Sequence, residues 1–476
     1  MQIKSWSKWK IRNRVFVLNK SFKKFQSKSN KNFFEKHLKL KSWEKFTIWY
    51  YTNFDSKNID YTIFVKYTNN RDFYENIEDI VAWLWDMINS INKDFFIDLD
   101  SLDLPDSYRN LFQELLSIKL YKYSKNNPKK DKSESKLVIK NKNFANFNNF
   151  VESISLVRDL VNSPSNLTNP DSMEETIKSI FEKENNVEVE VFDKDKLLDL
   201  WMNWIYEVWK WADIPPRLVL IKYNLNKNED YHFSMVWKGV CFDTWGYNLK
   251  PTWAIEDMRL DMWWAATVLW VTKHLVQNWY SKNFITAIPL VENNISSKAY
   301  KPWDVITMYN WKTVFVWNTD AEWRLILADA LSYVEKEYSP KYLFDIATLT
   351  WAQIIALGTK IAAIIWRNQQ LNKKIQKISW DIKERFWELP FYEPYFKSHK
   401  TYLADMNNIG SFGKAWPWTI SAWLFLSQFV ESKNWAHLDI AWPAWIFGGN
   451  DSLWWEWASG FGFRTLVNLA YDIQKK

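Results

Sequence analysis

The chain has 476 residues, of which 47% are hydrophobic and 25% charged, with a formal net charge of +7. Two domains are expected, because this length exceeds one ordinary hydrophobic core. No run of about 18 apolar residues occurs, so no membrane span is predicted. The single cysteine, Cys241, excludes an internal disulfide and a cysteine-built zinc site. No apolar segment follows the basic N-terminal stretch, so we expect no secretory signal and a cytoplasmic location.

The N-terminal third of the sequence mixes strand-like and helix-like runs. Residues 61–65 read as a strand, and residues 77–91 and 108–120 carry helical periodicity. These patterns predict a small α/β domain over residues 1–122. A polar segment rich in Lys and Asn follows, and residues 123–149 are predicted to be a linker.

The basic charge is concentrated at the N-terminal end. Residues 1–150 hold 28 Lys and Arg residues against 17 Asp and Glu residues. Such a balance is found in nucleic-acid-binding domains, but it also fits an ordinary solvated surface. We favour the solvated surface, because no aromatic and basic motif of a nucleic-acid module is present.

Residues 150–476 are predicted to form a larger α/β domain. Strand-like runs alternate with helices, which indicates a mixed central sheet flanked by helices. Strands are predicted at 187–192, 218–223, 233–236, 286–291, 314–316 and 342–346, and helices at 262–277, 322–336 and 420–430. Asn169 to Ser172 supplies a cap for the helix that follows it.

Tryptophan and glycine are out of balance in this chain. There are 34 Trp and 9 Gly residues, whereas glycine alone ordinarily makes up about 7% of a protein. Trp also stands where turns need glycine: Asn310-Trp311 lies between two strand-like runs, where Asn-Gly would form a type I′ turn. We interpret many Trp positions as translated UGA codons that the source organism reads as glycine. The alternative is a protein that is truly rich in tryptophan.

Three carboxylates lie at predicted sheet ends. Asp320 and Glu322 are two residues apart, and Asp243 follows the apolar run 240–242. Ligands of α/β proteins bind at such ends, and clustered carboxylates need a cation to stay ionised together. Oxygen ligands suit Zn, Mn or Mg. By spacing alone, however, an Asp-x-Glu pair is more often a surface feature or a helix cap.

Several segments in the same order resemble the leucyl aminopeptidase family, the M17 cytosol aminopeptidases. The resemblance covers about 157–469, and the N-terminal domain has no matching motif. The segment N-T-D-A-E-W-R-L at 318–325 corresponds to N-T-D-A-E-G-R-L in the family. The other matching segments begin at Lys238 (K-G-V-C-F-D-T-W-G-Y-N-L-K-P), Asp261 (D-M-W-W-A-A), Pro215, Lys301, Ala347, Ala404 and Trp435.

Most departures from the family pattern are tryptophans in glycine columns. They are Trp237, Trp245, Trp263, Trp264, Trp270, Trp303, Trp311, Trp323, Trp351, Trp416 and Trp442. Trp435 instead matches a position where the family itself has Trp. Random substitution would not select glycine columns in this way, so the pattern favours recoding.

The resemblance implies roles for particular residues. Two divalent ions, zinc or manganese with magnesium as a further option, are expected on Lys238, Asp243, Asp261, Asp320 and Glu322. Lys250 corresponds to the lysine that polarises the scissile carbonyl, and Arg324 to the arginine that holds a bicarbonate ion. Asn318, Met258, Thr348 and Leu349 correspond to positions that line the substrate pocket.

The implied function is the hydrolytic release of N-terminal amino acids, with a leucine-like preference, from peptide substrates. The family implies a homo-hexamer without a membrane partner. The alternative hypothesis is a non-catalytic oligomer that binds nucleic acid through the basic N-terminal domain.

Overall fold

The structure is a computed structural model, and its described residues fall into two compact units. One unit lies within Met1–Ser155, and the other within Leu156–Ile446 and Trp457–Lys476. The described residues are 3–4, 14–18, 46–55, 58–67, 69–91, 95–98, 104–121, 137–140, 144–210, 212–226, 228–244, 246–249, 252–255, 263–350, 352–365, 367–410, 417–441, 443 and 459–475. No helix among these residues is long and apolar enough to cross a membrane.

The described part of the first unit contains a six-stranded sheet and helices. In spatial order the strands are β1 (Ile3–Lys4), β6 (Leu137–Lys140), β5 (Phe95–Asp98), β2 (Arg14–Leu18), β4 (Asn58–Tyr67) and β3 (Phe46–Asp55). The helices are α1 (Asn70–Glu75), α2 (Ile77–Ile91) and α3 (Asp106–Leu120), and α4 (Phe144–Asn162) begins within this unit. Only β3 pairs antiparallel to its neighbour, because it forms a hairpin with β4.

Helical periodicity explains why α2 forms where the sequence predicts it. Its apolar residues recur every three or four positions and are fully buried, while Glu78 and Asp79 face the positive end of the helix dipole. The fully buried side chains are Ile77, Ile80, Val81, Leu84 and Ile88. Strand β6 and the start of α4 lie inside residues 123–149, whose composition predicts a linker. The domain boundaries stay a prediction.

The second unit contains a mixed sheet of nine described strands. The spatial order is β16 (Phe386–Glu388), β15 (Ala362–Ile365), β18 (Trp435–Asp439), β14 (Tyr342–Ala347), β9 (Phe233–Trp237), β11 (Phe284–Asn293), β8 (Arg217–Tyr223) and β7 (Val187–Phe192). Strand β10 (Gly239–Asp243) also pairs with β11. The four central strands β18, β14, β9 and β11 run parallel to one another.

Helices flank this sheet, and the fold is the expected mixed α/β architecture. The described helices of this part of the chain are α5 (Pro170–Phe181), α6 (Lys194–Asp199), α7 (Asn203–Trp209), α8 (Thr252–Ile255), α9 (Trp263–Gln277), α10 (Trp323–Tyr338), α11 (Gln353–Leu357), α12 (Gln369–Asp381), α13 (Trp418–Leu426) and α14 (Phe463–Ile473). Helices α9 and α10 both pack on β9 and β11. The predicted cap of α5 is confirmed, because the Asn169 side chain accepts a hydrogen bond from Ser172 N at 2.9 Å.

Two local predictions need correction. The helix predicted at 420–430 ends at Leu426, because Gln428 N and Phe429 N bond three residues back, to Phe425 O and Leu426 O. The turn at Asn310-Trp311 is not type I′, since only Trp311 in that turn has a positive φ, of 68°.

That turn joins β12 (Val305–Thr307) to β13 (Thr313–Phe315) in a three-stranded sheet completed by β17 (Met406–Asn407). Met308 N donates to Lys312 O, and Trp311 N donates to Met308 O. This is a three-residue hairpin loop, in which the last residue is left-handed and glycine is favoured.

Candidate metal centre

The candidate site lies where the parallel strands of the larger sheet end. Asp439 closes β18, Thr348 follows β14, Lys238 follows β9, and Asp243 closes β10. Asn293 closes β11. Carboxyl ends of parallel strands meet at one edge, so residues from distant parts of the chain come together there.

Three carboxylates form a cluster at this edge. Asp243, Asp320 and Glu322 each offer an oxygen, and these oxygens all lie within 4.8 Å of one another. Asp243 and Glu322 are fully buried, and Asp320 is partly buried. Buried carboxylates this close repel one another unless a cation lies among them, and their hard oxygens suit a divalent ion. The donor set therefore fits the metals that the sequence predicts.

Strand register positions Asp243. In the parallel β10–β11 pair, Asp243 lies opposite Asn293, whose Nδ2 donates to Asp243 Oδ1 at 2.7 Å. Gly239 lets β10 approach β11 closely, because a Cβ there would lie 2.6 Å from Pro289 O. A hydrogen bond to a carboxylate ligand fixes its orientation, so Asn293 supports the cluster from behind.

A capped 3₁₀ turn positions Asp320 and Glu322. The turn spans Thr319–Ala321, and the Asn318 side chain accepts a hydrogen bond from Asp320 N at 2.7 Å. Glu322 follows directly and precedes α10. The Asn318 side chain is thus committed to shaping the loop that carries the two carboxylates.

Two further asparagines hold the same loop. Asn248 Oδ1 accepts from Thr319 N at 2.8 Å, and Asn408 Nδ2 donates to Asn318 O at 2.6 Å. Asn408 Oδ1 also accepts from Trp317 N. Because side chains from two distant segments bond the main chain at residues 317–319, they hold the stretch that leads into Asp320.

Tyr300 also supports the loop that carries Asp320 and Glu322. Its hydroxyl donates to Thr319 O at 2.8 Å. Burial raises the pKa of Tyr300 well above its ordinary value, and the charges of Glu322, Asp243 and Asp320 raise it further. Tyr300 therefore keeps its proton and remains a donor beside the carboxylates.

Lys238 is fully buried at the same edge. Its Nζ donates to Thr348 Oγ1 at 3.1 Å and also lies against the face of the Trp323 ring. The indole at position 323 fills the space directly beside the amine. Its bulk thus competes with the predicted ligand role of Lys238.

Arg324 lies in the first turn of α10 and is buried. Burial lowers the pKa of Arg324 to about 10, although the carboxylates of Glu322, Asp320 and Asp439 oppose this shift. The guanidinium therefore remains charged at neutral pH. Its Nε and Nη1 atoms have no hydrogen-bond acceptor among the described residues. Together with the helix N-terminus, these donors suit a small anion.

The structure brings together most of the residues singled out in the sequence. Lys238, Asp243, Asp320, Glu322 and Arg324 share the sheet edge, and the residues predicted to line the pocket, Asn318, Thr348 and Leu349, lie in its loops. Asp261, Lys250 and Met258 lie outside the described residues. The roles of all these residues remain predictions.

Sequence reasoning missed the supporting residues. Asn248, Asn408 and Asp439 lie inside segments that match the family, which was the available signal for them. Asn293 and Tyr300 carry no local signal, because their roles depend on strand register and on contacts across the fold.

Comparison with known proteins identifies the relatives of this chain. A sequence model of the cytosol aminopeptidase family, catalytic domain, matches residues 155–467. A probable cytosol aminopeptidase of Azotobacter vinelandii is 38% identical over 301 residues, which are 63% of this chain and 60% of that relative. A probable cytosol aminopeptidase of Clostridium perfringens is 34% identical over 395 residues, 80% of this chain and 79% of the relative.

Solved structures share the fold. The cytosol aminopeptidase of Coxiella burnetii superposes with a TM-score of 0.84 and 24% identity, covering 99% of both chains. The bottromycin maturation enzyme BotP, solved in complex with Mn, has a TM-score of 0.80 and 22% identity, covering 97% of this chain and 99% of BotP. At such identities the likeness establishes the fold alone.

Proposed function

The chain belongs to the cytosol aminopeptidase family, and we propose that it is a metal-dependent aminopeptidase that removes N-terminal residues from peptides. The observation that carries this proposal is the cluster of Asp243, Asp320 and Glu322, whose oxygens lie within 4.8 Å of one another at the sheet edge. Few structural roles would bring three mutually repelling carboxylates together with two of them fully buried.

We propose that two divalent ions, zinc or manganese with magnesium as an option, bind here. Asp243, Asp320, Glu322 and Lys238 are the described residues that would hold them, and Asp261 completes the set. Bound ions would polarise the scissile carbonyl and lower the pKa of an attacking water. Asn293 and the Asn318 cap keep the carboxylates oriented for this task.

Two cationic side chains complete the proposed chemistry. Arg324 stays charged beside the cluster, and its unbonded donors would hold a bicarbonate ion that transfers protons. Lys250 would stabilise the oxyanion that develops on the substrate carbonyl. Thr348, Leu349, Asn318 and Met258 would shape the pocket and favour a leucine-like residue.

The family also supports a homo-hexamer and a cytoplasmic location, which we adopt as proposals. Nothing in the comparisons supports the alternative of a non-catalytic nucleic-acid-binding protein.

We further propose that many of the printed tryptophans are glycines in the natural protein. Among the described residues, six non-glycine residues have positive φ, and four are tryptophans: Trp201, Trp279, Trp303 and Trp311. These side chains are 50, 72, 63 and 62% exposed, so burial of the indole does not compensate for the left-handed backbone. Trp303 and Trp311 also occupy glycine columns of the family, whereas backbone geometry alone singles out Trp201 and Trp279.

Buried tryptophans support the same interpretation. The indole N–H of Trp270 has no acceptor within the described residues, although buried indoles usually find one. By contrast, Trp435, which the family also has, donates its indole N–H to Asp345 Oδ2 at 2.5 Å. Trp323 lies against the Lys238 amine. Glycine at 323 would remove that contact.

Mass spectrometry of the protein from its source tests the recoding. Glycine at positions 303 and 311, with tryptophan at 435, is expected. Tryptophan at both 303 and 311 would contradict it.

The activity is tested on the glycine form, which we define as the protein expressed with glycine at every UGA codon of the gene. We expect it to hydrolyse a leucine chromogenic amide when Mn or Zn is added. Absence of metal-dependent hydrolysis of any N-terminal residue tested would overturn the proposed function.

A further inference from the structure

The carboxylate of Asp439 lies at the candidate site without belonging to the predicted ligand set. It closes β18, next to β14 in the sheet, and it is fully buried. Burial raises the pKa of Asp439, while His437 and hydrogen bonds from Thr350, Ala441 and Leu349 act in the opposite direction. A buried carboxylate that receives this many donors fixes whatever carries them.

The donors come mainly from the segment that follows β14. Leu349 N donates to Asp439 Oδ1 at 3.0 Å, and Thr350 Oγ1 donates to Asp439 Oδ2 at 2.6 Å. Thr350 Oγ1 also lies 2.6 Å from Thr419 Oγ1 at the start of α13. One side chain therefore binds two successive residues of the segment and links it to β18.

This segment also touches the candidate metal centre. Thr348 Oγ1 accepts the hydrogen bond from Lys238 Nζ at 3.1 Å. A chain of contacts thus runs from Asp439 through residues 349 and 350 to Thr348, and from there to Lys238. Movement of the segment would alter the pocket wall and the surroundings of the lysine together.

Asp439 is itself held by charges deeper in the sheet. His437, two positions earlier on β18, lies with Nδ1 2.6 Å from Asp345 Oδ1. Burial lowers the pKa of His437, but the carboxylates of Asp345 and Asp439 overcome this and raise it. The Arg324 guanidinium is close enough to Asp439 for their charges to interact. Asp439 therefore interacts both with Arg324 and with the hydrogen-bonded pair of His437 and Asp345.

We propose that Asp439 is a positioning residue that holds residues 348–350 in the geometry needed to bind the N-terminal residue of the substrate. It acts through Leu349 N and Thr350 Oγ1 and touches neither the substrate nor the carboxylate cluster. This inference rests on the proposed aminopeptidase function.

The test compares four variants of the glycine form. Asp439→Ala removes the acceptor, and Asp439→Asn keeps its shape and one acceptor oxygen. Thr350→Val removes the hydroxyl donor at constant volume, and Thr350→Ser keeps it. The matched control is Asp329→Asn, because Asp329 is also fully buried and accepts main-chain hydrogen bonds, from Trp204 N and Tyr309 N.

We expect Asp439→Ala and Thr350→Val to raise KM for a leucine peptide about tenfold, as loss of one such hydrogen bond implies, with a smaller change in kcat. Thr350→Ser should stay near the parent, and Asp439→Asn should lie between. Asp329→Asn should leave KM unchanged. If Asp439→Ala does not fold, the Thr350 pair decides the question. An unchanged KM in Thr350→Val, or an equal rise in Asp329→Asn, would overturn the proposal.

Amide exchange separates this inference from the proposed function. The Leu349 amide should exchange faster in Asp439→Ala than in the parent, whether or not the parent hydrolyses peptides. An inactive parent would refute the function alone. Unchanged exchange at Leu349 in a folded Asp439→Ala protein would refute the positioning role alone.

Discussion

The larger unit contains an isolated buried carboxylate, Asp329, and a cluster of three carboxylates, and their surroundings differ. Asp329 on α10 stands alone, and its oxygens accept hydrogen bonds from Trp204 N and Tyr309 N, both at 2.9 Å. Asp243, Asp320 and Glu322 instead converge within 4.8 Å of one another. Burial is common to both sets, so burial alone does not mark a functional site. The difference is that main-chain donors stabilise the single carboxylate of Asp329, whereas the cluster brings three carboxylates together, an arrangement that suits a divalent cation.

The largest expected effect follows from breaking the cluster. In the glycine form, Asp320→Ala should lower kcat/KM for a leucine amide by about a thousandfold or more, since the ligand set loses a charged member. The control is Asp195→Ala, whose side chain is 80% exposed on α6. Equal activities of the two variants, with folding intact, would show that the cluster is not the site of chemistry.

A smaller effect is expected from the residue behind the cluster. Asn293→Ala removes the hydrogen bond to Asp243 Oδ1 and should weaken Mn or Zn binding about 10–100-fold. A metal titration followed by activity measures this shift. Asn283→Ala serves as a control, because its amide bonds only the loop at 226–229. If the metal titration of Asn293→Ala overlays that of the parent, Asn293 does not contribute to metal binding.

The buried carboxylate of Asp329 should make the free energy of unfolding depend on pH. Burial raises the pKa of Asp329 to about 7 in the folded protein, despite the main-chain hydrogen bonds that lower it. The folded state then holds a proton that the unfolded state releases near pH 4, so this group's contribution to the free energy of unfolding falls as pH rises from about 4 to about 7.

Asp329→Asn cannot titrate, so the parent should lose stability relative to this variant across that window. Burial also lowers the pKa values of three histidines, His232, His274 and His399, to about 4. Their contributions to the free energy of unfolding are the same in the parent and the variant, so they cancel in the difference between the two proteins. Denaturant melts at pH 4.5, 5.5 and 7 measure the difference. A constant difference across this range would contradict the assigned shift.

The smallest effect concerns an exposed turn. Trp311→Gly in the chain as printed should raise the free energy of unfolding by about 1–2 kcal/mol, because glycine adopts the positive φ of 68° without strain. Trp435→Gly is the opposing control, since its buried indole packs on Trp423 and bonds Asp345. Destabilisation by Trp311→Gly would argue that the indole belongs there.

The sequence predicted the parts of the site whose signals are local. Asp320 and Glu322 share a short segment, and Asp243 follows an apolar run, so all three could be placed at sheet ends. Lys238 came only from the resemblance, because composition does not distinguish a buried lysine from a solvated one. Asn293 is 50 residues from Asp243, and only the β10–β11 register brings them together.

The turn at Asn310-Trp311 shows a second limit. The dipeptide correctly indicated a hairpin and a glycine-like residue, but loop length decides between turn types. The hydrogen bond from Met308 N to Lys312 O closes a three-residue loop in place of the expected two-residue one. Sequence alone did not fix where the strands stop pairing.

The most direct test of the account is a metal titration of the glycine form, stripped with a chelator and followed by hydrolysis of a leucine chromogenic amide. We predict no hydrolysis without metal, recovery with Mn or Zn that saturates at two ions per chain, and no recovery in Asp320→Ala. Hydrolysis that persists in the stripped protein, or a folded protein that binds no divalent ion, would contradict the assignment of the cluster as a metal centre.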